Sequence, residues 1–580
     1  MMSLKYKVFG AGCSLMAALA LGACSDWDDH YDADTSLLPS QQVSLWKTIN
    51  DNGELTQFAK LLERVGYDKT LGEAQSYTIW APKDNTAGYD FTALSALNDS
   101  VLLNEFVKNH ISRSNTLASG QVTDQRVFML NKKVMYLNGN GSYKIQDISL
   151  STPNIATGNG TIHLLDGMIP FTPNIYETLD TANQQIDSIA TYFIKYHKYE
   201  IDKSQSIAGP AMNGELTYID TVYAEGNSLY SLFNAYINRE DSSYTMILPT
   251  TTAWNEAKDS IKKYFNYVPK FQVLESVQTT TGQKDSTYYV TLRDPEQLRD
   301  SMVNRIMVQD LFYNNNLYDN KKLKSLQTGE LPQCDSLIST HRKSGEYDVK
   351  IYKEDAQELF KGATRIDRSN GAVWLTDHLG IRPWTSWNPE IRIEAETGNA
   401  VLKSQYCTFE TPTIALGTQN PAVKGHVSNN SYLVASPQYA GAHPDIYFNL
   451  PDIRSTEYCI YVVTVPANIT SVLAPDTLPY HLQVEVNYAQ ESGSRKNESL
   501  GNAFYSNPAA IDTIYLGNVT FPVAYYGTGD YKPFMRIRSR VMGKEKVDEE
   551  LRIDCIILRP KALDDYLKAN PDYKYNRGTY

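Results

Sequence analysis

Two short stretches decide how this chain folds: YTIWAP at residues 77–82 and NGTIHLLDGMIP at residues 159–170. The first is an apolar strand that stops at Pro82, which lacks the N–H a sheet ladder needs. The second is a strand entered through Asn159-Gly160, a pair suited to positive φ, and left through a turn at Asp166-Gly167. Ahead of the first lies a helix with Leu55, Phe58, Leu61, Leu62 and Val65 on one face. Between the two run helical sequence through Leu94, Leu97 and Val101 to FVKNHI (106–111), then a hairpin, VMYLNGNGSYKI, that turns at its Asn-Gly pairs.

The same order recurs downstream. Leu229, Leu232, Phe233, Tyr236 and Ile237 form the helix face, YTMILP (244–249) matches YTIWAP, and IMVQDL (306–311) takes the place of FVKNHI. NGAVWLTDHLGIRP (370–383) supplies the closing strand. Landmarks matched in the same order mark an internal repeat. The second copy is longer, and residues 258–299 read as an inserted excursion.

These boxes resemble those of the fasciclin domain family over residues 44–383. That family has a first box of the form Tyr/Phe-Thr-x-Phe-Ala-Pro-x-Asn, a His in the middle helix, and a last box Asn-Gly-x-Ile/Val-His-x-Ile-Asp. In the first copy Asn159, Gly160, His163 and Asp166 match the last box and His110 the middle His. In the second, Asp310 and Trp374 stand where those histidines stood, so a role for them does not carry over. The resemblance implies two α+β fasciclin-like domains, residues 44–173 and 174–383, each a twisted sandwich or wedge flanked by helices. It implies adhesion or binding without catalysis. As residues, His110 and His163 are expected to complete buried hydrogen bonds.

Beyond RPWTSWNPE (382–390) the chain turns to short alternating strands broken by turns, among them DIYFNL, YHLQVEVNY and FMRIRSRV. This predicts an all-β sandwich or jelly roll over residues 388–560. In IRIEAE, Ile391, Ile393 and Ala395 share one face while Glu394 and Glu396 share the other; in LRIDCIIL, Asp554 lies opposite Leu551, Ile553 and Cys555. Such carboxylates could hold calcium, which takes hard oxygen ligands, or could pair with Arg392 and Arg552. The two strands are similar to those that open and close jelly-roll carbohydrate-binding modules, which implies a structural calcium at Glu394, Glu396 and Asp554. For a sugar ligand the loop AYYGTGDYKPF offers Tyr525, Tyr526, Tyr531 and Phe534, with Tyr505 and Trp387 as further candidates. The tail, residues 561–580, has no core of its own and is expected to be disordered or pinned by a partner.

At the N-terminus, Lys5 and Lys7 precede an uncharged apolar run (8–21) too short to span a bilayer. It ends in Leu21-Gly22-Ala23-Cys24, which resembles the lipobox of bacterial lipoproteins and implies a signal peptide over residues 1–23 and acylation of Cys24. The acidic stretch SDWDDHYDAD follows, within a tether spanning residues 24–43. It resembles the export tags of Bacteroidetes-type lipoproteins, implying a lipid anchor in the outer membrane, an extracellular orientation and a SusC/SusD-like importer as partner.

The net charge of −12 becomes −14 once Lys5 and Lys7 leave with the signal peptide, and no basic cluster offsets it, which argues against nucleic acid. Cys334, Cys407, Cys459 and Cys555 allow three disulfide pairings, yet Cys459 and Cys555 sit in strand-like runs where a buried thiol is equally at home. No C-x-x-C or HExxH spacing supports zinc, and no nucleophile elbow, P-loop or dinucleotide fingerprint supports catalysis. The chain is therefore expected to be a non-catalytic surface lipoprotein that binds glycan or peptide. The alternatives are an adhesin contacting host or matrix, and a glycan-active enzyme whose carboxylates lie far apart in sequence.

Overall fold

Helix α1 (Thr56–Arg64) buries Phe58, Ala59, Leu61 and Leu62, and its start is capped from a distance. Asp84, two residues past the YTIWAP stretch and in the same strand, accepts from Thr56 N and Gln57 N, both at 3.0 Å. A carboxylate on the free N–H groups of a first turn satisfies donors that the helix itself cannot. The computed structural model describes residues 43–575 except 181, 204–205, 213–214, 222, 269, 279–283, 317–335, 342–349, 472–476 and 528–530. It divides into two units, Met1–Pro173 and Asn174–Tyr580. The signal-peptide, lipidation and tether readings, Cys24 included, lie outside the described residues.

The first unit is built on a seven-stranded sheet. Its strands are β1 (Tyr77–Ala87), β2 (Ile111–Ser112), β3 (Gln121–Phe128), β4 (Val134–Asn140), β5 (Ser142–Ile145), β6 (Ile148–Thr157) and β7 (Gly160–Gly167), in the order β2-β1-β7-β6-β5-β4-β3. The two boxes, far apart in sequence, lie side by side: β1 and β7 are parallel, with Tyr77 opposite Gly160 and Trp80 opposite His163. Tyr77, Ile79, Ile162 and Leu164 join the core beneath the helices, while Trp80 and Leu165 join a second core with Val127, Leu137 and Ile145. Asn159 ties the helices to the sheet. Its Oδ1 accepts from Leu45 N at 2.7 Å, and its Nδ2 donates to Leu71 O at 3.0 Å.

Both histidines are buried and saturated. His110 Nδ1 donates to Phe106 O (2.8 Å) while Nε2 accepts from Ile169 N (3.1 Å), and burial pushes its pKa down to about 4. His163 stacks on Trp80 with centroids 4.5 Å apart; its Nε2 donates to Thr116 O and its Nδ1 accepts from Asn154 N. These are structural hydrogen bonds, as the residues suggested.

The second unit opens on α2 (Asp187–Ile194) and two small antiparallel pairs that the sequence reading did not foresee. These are β8 (His197–Ile201) with β11 (Tyr223–Asn227), and β9 (Ile207–Met212) with β10 (Glu215–Asp220). The repeated boxes then form β12 (Tyr244–Pro249) and, later, β19 (Gly371–Thr376), again parallel, with Tyr244 opposite Gly371 and Ile247 opposite Trp374. Asn370 repeats the role of Asn159, accepting from Ile175 N at 2.9 Å and donating to Ile237 O at 2.7 Å. Two copies thus share strand direction, register and tie. Residues 258–299 hold the end of α3 (Thr251–Lys262), the hairpin of β13 (Lys270–Gln278) and β14 (Lys284–Arg293), and the first turn of α4 (Pro295–Gln309). Asp310, in the His110 place, accepts hydrogen bonds from Ser386 and Gln309, and Trp374 fills core against Phe360. The sheet is completed by β15 (Phe312–Asn314) and β18 (Thr364–Arg368), with β16 (Ser336–Ile338) and β17 (Lys350–Tyr352) as a separate pair.

The C-terminal region is a two-sheet sandwich. One sheet runs β22 (Cys407–Glu410), β23 (Leu433–Pro437), β30 (Leu551–Pro560), β25 (Glu457–Thr464), β28 (Asp512–Thr520), with β20 (Ile391–Glu394) also on β30. The other runs β21 (Val401–Gln405), β24 (Asp445–Asn449), β29 (Phe534–Ser539), β26 (His481–Ala489), β27 (Arg495–Tyr505). First and last strands are antiparallel neighbours, with Glu394 opposite Cys555. Cys407, Cys459 and Cys555 are free thiols; Cys334 lies outside the described residues.

The tail differs from expectation. Helix α5 (Lys561–Ala569) and residues 570–575 pack on this same chain, with Leu563, Tyr575 and Trp384 buried together. Arg382 lies under the Tyr566 ring at 4.5 Å and pairs with buried Asp355 at 2.7 Å. Tyr573 donates to Asp355, and Tyr575 to buried Glu390 at 2.8 Å. The tail lacked a core only because its core residues belong to earlier segments.

Candidate ligand-binding site

The aromatic loop does not present one platform. Tyr525 is partly buried against the sandwich core. Tyr526 packs on Phe265 (5.8 Å) beneath the Arg454 guanidinium (4.2 Å), and its carbonyl accepts from Tyr267 Oη at 3.0 Å. Tyr531 rests on Val268, Ala489 and Val523. Each ring thus has its own packing partner, which is the alternative that Tyr, with its apolar body, always allows. Trp387 is buried too, and Tyr505 is exposed but stacks on His481. Phe534 alone leads elsewhere. It starts β29 and lies 5.6 Å from the ring of Tyr447 on β24.

That contact belongs to the outward face of the five-stranded sheet. Ile446, Phe448, Met535, Ile537, Val484 and Val486 alternate into the core, so the residues between them share the opposite face. Register sets them in rows: Lys403, Tyr447, Arg536 and Glu485 in one; Asp445, Arg538 and Gln483 in the next; Asn449, Phe534 and Asn487 in a third. Arg536 donates from Nε to Asp445 Oδ1 at 2.8 Å and from Nη1 to Glu485 Oε2 at 3.3 Å. Its hydrogen bonds to Asp445 hold its pKa above the ordinary arginine value. Arg536 and Lys403 both lie over the Tyr447 ring, at 5.1 and 5.2 Å. Arg538 reaches Glu485 Oε1 at 3.4 Å, yet its Nε, like Asn449 Oδ1, is buried with no hydrogen-bond partner. The face therefore combines fixed planar polar groups, two aromatic rings and unsatisfied hydrogen-bonding atoms. Sequence reading passed over it, although the alternation was present as Asp-x-Tyr-x-Asn, Phe-x-Arg-x-Arg and Gln-x-Glu-x-Asn.

The carboxylates of the terminal strands do converge. Glu394, Asp554 and Cys555 each offer a ligand atom within 4.8 Å of the others; Glu396 lies outside that group. Ser428 donates from Oγ to Glu394 Oε1 at 2.8 Å and from N to Asp554 Oδ1 at 3.1 Å. Glu394 Oε2 and Glu396 Oε2 are buried without hydrogen bonds. Burial, then the charges of Glu394 and Glu396, raise Asp554 from 3.8 to about 7. Contact ion pairs do not join these groups to the nearby arginines, although the Arg392 charge acts on both Glu394 and Asp554. Arg552 pairs with Asp548 and Glu550, and Arg392 donates to Cys555 Sγ at 3.2 Å. Oxygen donors crowded together and left unsatisfied fit a hard cation; the Cys555 thiol, whose pKa burial pushes up, does not add to such a set.

The fasciclin domain model matches residues 53–170, which lie within the first copy. Among solved structures the chain is similar to the FAS1 domain pair of the insect cell adhesion molecule Fasciclin I, at 12% identity over 58% of this chain and 99% of that one, with a TM-score of 0.19. It is similar to the enzymatically active domain of bacteriophage CBA120 tailspike protein 4, at 11% identity over 28% of this chain and 18% of that one (TM-score 0.16). It is also similar to the CBM22-1 xylan-binding domain of Paenibacillus barcinonensis Xyn10C, at 14% identity over 29% and 92% (TM-score 0.18). No curated protein matches the chain.

Proposed function

We propose that this chain is a surface lipoprotein, anchored in the outer membrane through Cys24, that captures glycan without catalysis on the outward face of its C-terminal sandwich. The observation that carries this reading is the set of rows around Tyr447, Arg536 and Arg538. Sugars offer apolar C–H faces to aromatic rings and hydroxyls to planar polar groups, and these rows supply both. Ion pairs between neighbouring strands hold the polar groups in place before any ligand arrives, which lowers the ordering cost of binding. Glu394 and Asp554, with Glu396 nearby, would hold a structural calcium that joins the first and last strands. The fasciclin domains would serve as spacer and contact modules, and a SusC/SusD-like importer would take up what the sandwich captures. The fasciclin match at residues 53–170 favours a second reading, adhesion to host or matrix.

Two measurements test this. Cys24→Ala moves the protein from the outer-membrane to the soluble fraction; unchanged membrane retention contradicts the anchor. A glycan array probed with the unlipidated chain from Ser25 onward shows sugar binding; an empty array beside binding to matrix proteins selects adhesion.

A further inference from the structure

A cleft lies in the other half of the same unit, among α2, α3 and α4, with a volume of about 1250 Å³. That exceeds the roughly 300–1,000 Å³ of ordinary small-molecule pockets and is room for several sugar rings. One side is aromatic. Tyr192 of α2 lies 5.4 Å from Tyr196 and 6.0 Å from Trp254 of α3, and both tyrosines are only partly buried. The other side is α4, where Asp300 and Asn304, one turn apart, both line the cleft. Asn304 Oδ1 is buried with no hydrogen-bond partner. Asp300, by contrast, is half exposed and is paired with Lys262 and Lys258 at 3.3 and 3.8 Å.

These observations narrow the ligand class. An acceptor without a donor at Asn304 disfavours an anion and suits a ligand that brings hydroxyl or N–H groups. The charges lining the cleft nearly balance, three aspartates to two lysines, so no strong field selects a charged ligand. Rings along one wall and the polar side chains of Asp300 and Asn304 along the other match a molecule with apolar faces and hydroxyl edges. We propose that this cleft is a second carbohydrate site, which takes a neutral oligosaccharide independently of the sandwich face.

The test is calorimetric titration of the unlipidated chain from Ser25 onward with glucan, xylan and mannan oligosaccharides four to six sugars long. The expected result is a binding step that Tyr196→Ala with Asn304→Ala weakens at least tenfold, that Tyr196→Phe retains, and that Arg538→Met on the sandwich leaves in place. An unchanged melting temperature shows that the double variant folds; if it does not, Asn304→Ala alone must give the loss. Binding that is abolished only by Arg538→Met, or no oligosaccharide binding at all, overturns the cleft site. A separate binding step that only Arg538→Met removes belongs to the sandwich; if no such second step exists, the sandwich reading fails while the cleft site stands, so the two proposals fail separately. Binding of unrelated peptides in place of sugars also overturns it.

Discussion

Gly160→Ala and Gly371→Ala should each destabilise their own unit by about 3 kcal/mol or more, enough to unfold a marginal domain. The reason is the same in both copies. A Cβ on Gly160 would sit 2.0 Å from Tyr77 O, and one on Gly371 would sit 1.9 Å from Tyr244 O. Both glycines also hold positive φ, +151° and +141°, which side chains rarely adopt. The neighbour in each case is strand backbone paired in a parallel ladder, so it cannot swing aside. Gly53→Ala and Gly398→Ala, where an added Cβ meets nothing within 4 Å, serve as controls and should shift stability by less than about 1 kcal/mol. Chemical denaturation of the four variants, followed by tryptophan fluorescence, checks this. A mild effect at Gly371 beside a severe one at Gly160 would break the equivalence of the copies.

The second large effect concerns pH. Asp554 is raised in the folded protein from 3.8 to about 7, so the fold binds its proton more tightly than the unfolded chain does. The stability linked to this group is fully present below pH 3.8 and is lost as pH rises through 7. The complete loss amounts to at most about 4 kcal/mol. In chelator, the sandwich should therefore melt at a lower temperature at pH 8 than at pH 5. Calcium should reverse the loss at pH 8, where the carboxylate is free to bind it, and do little at pH 5, where the proton competes. Asp554→Asn should flatten both the pH and the calcium dependence. A melting temperature at pH 8 that ignores calcium would remove the metal and leave only a buried carboxyl that gives up its proton near pH 7.

The sequence made the fasciclin-like core legible because its boxes are local. YTIWAP and NGTIHLL each carry strand pattern and turn chemistry within a dozen residues, and the repeat fixes their pairing. The reason for the glycines was less visible: Asn159-Gly160 looked like a turn, whereas Gly160 is required by the approach of Tyr77 O across the ladder. The sandwich face was hidden by distance. Asp445 and Arg536 are ninety-one residues apart, and Arg536 and Glu485 fifty-one, so no window contains the site. The aromatic loop misled for the opposite reason. Tyr525, Tyr526 and Tyr531 cluster in sequence, but neighbouring residues on an irregular segment point into different cores. In the carboxylate cluster the alternation put Glu394 and Asp554 together, as the structure has them. It could not show that Glu396, past the end of β20, falls short of the group.

Glycan capture on the sandwich face is tested most directly by equilibrium titration of the unlipidated chain and its Tyr447→Ala, Arg538→Met double variant with the sugar that the array selects. Tyr447 supplies a ring and Arg538 the exposed edge of its guanidinium, and neither side chain is fully buried, so the variant should keep the native melting temperature. The account predicts an affinity reduced at least a hundredfold, about 2.7 kcal/mol for two contacts of ordinary strength. Equal affinity for the sugar in both proteins would contradict it.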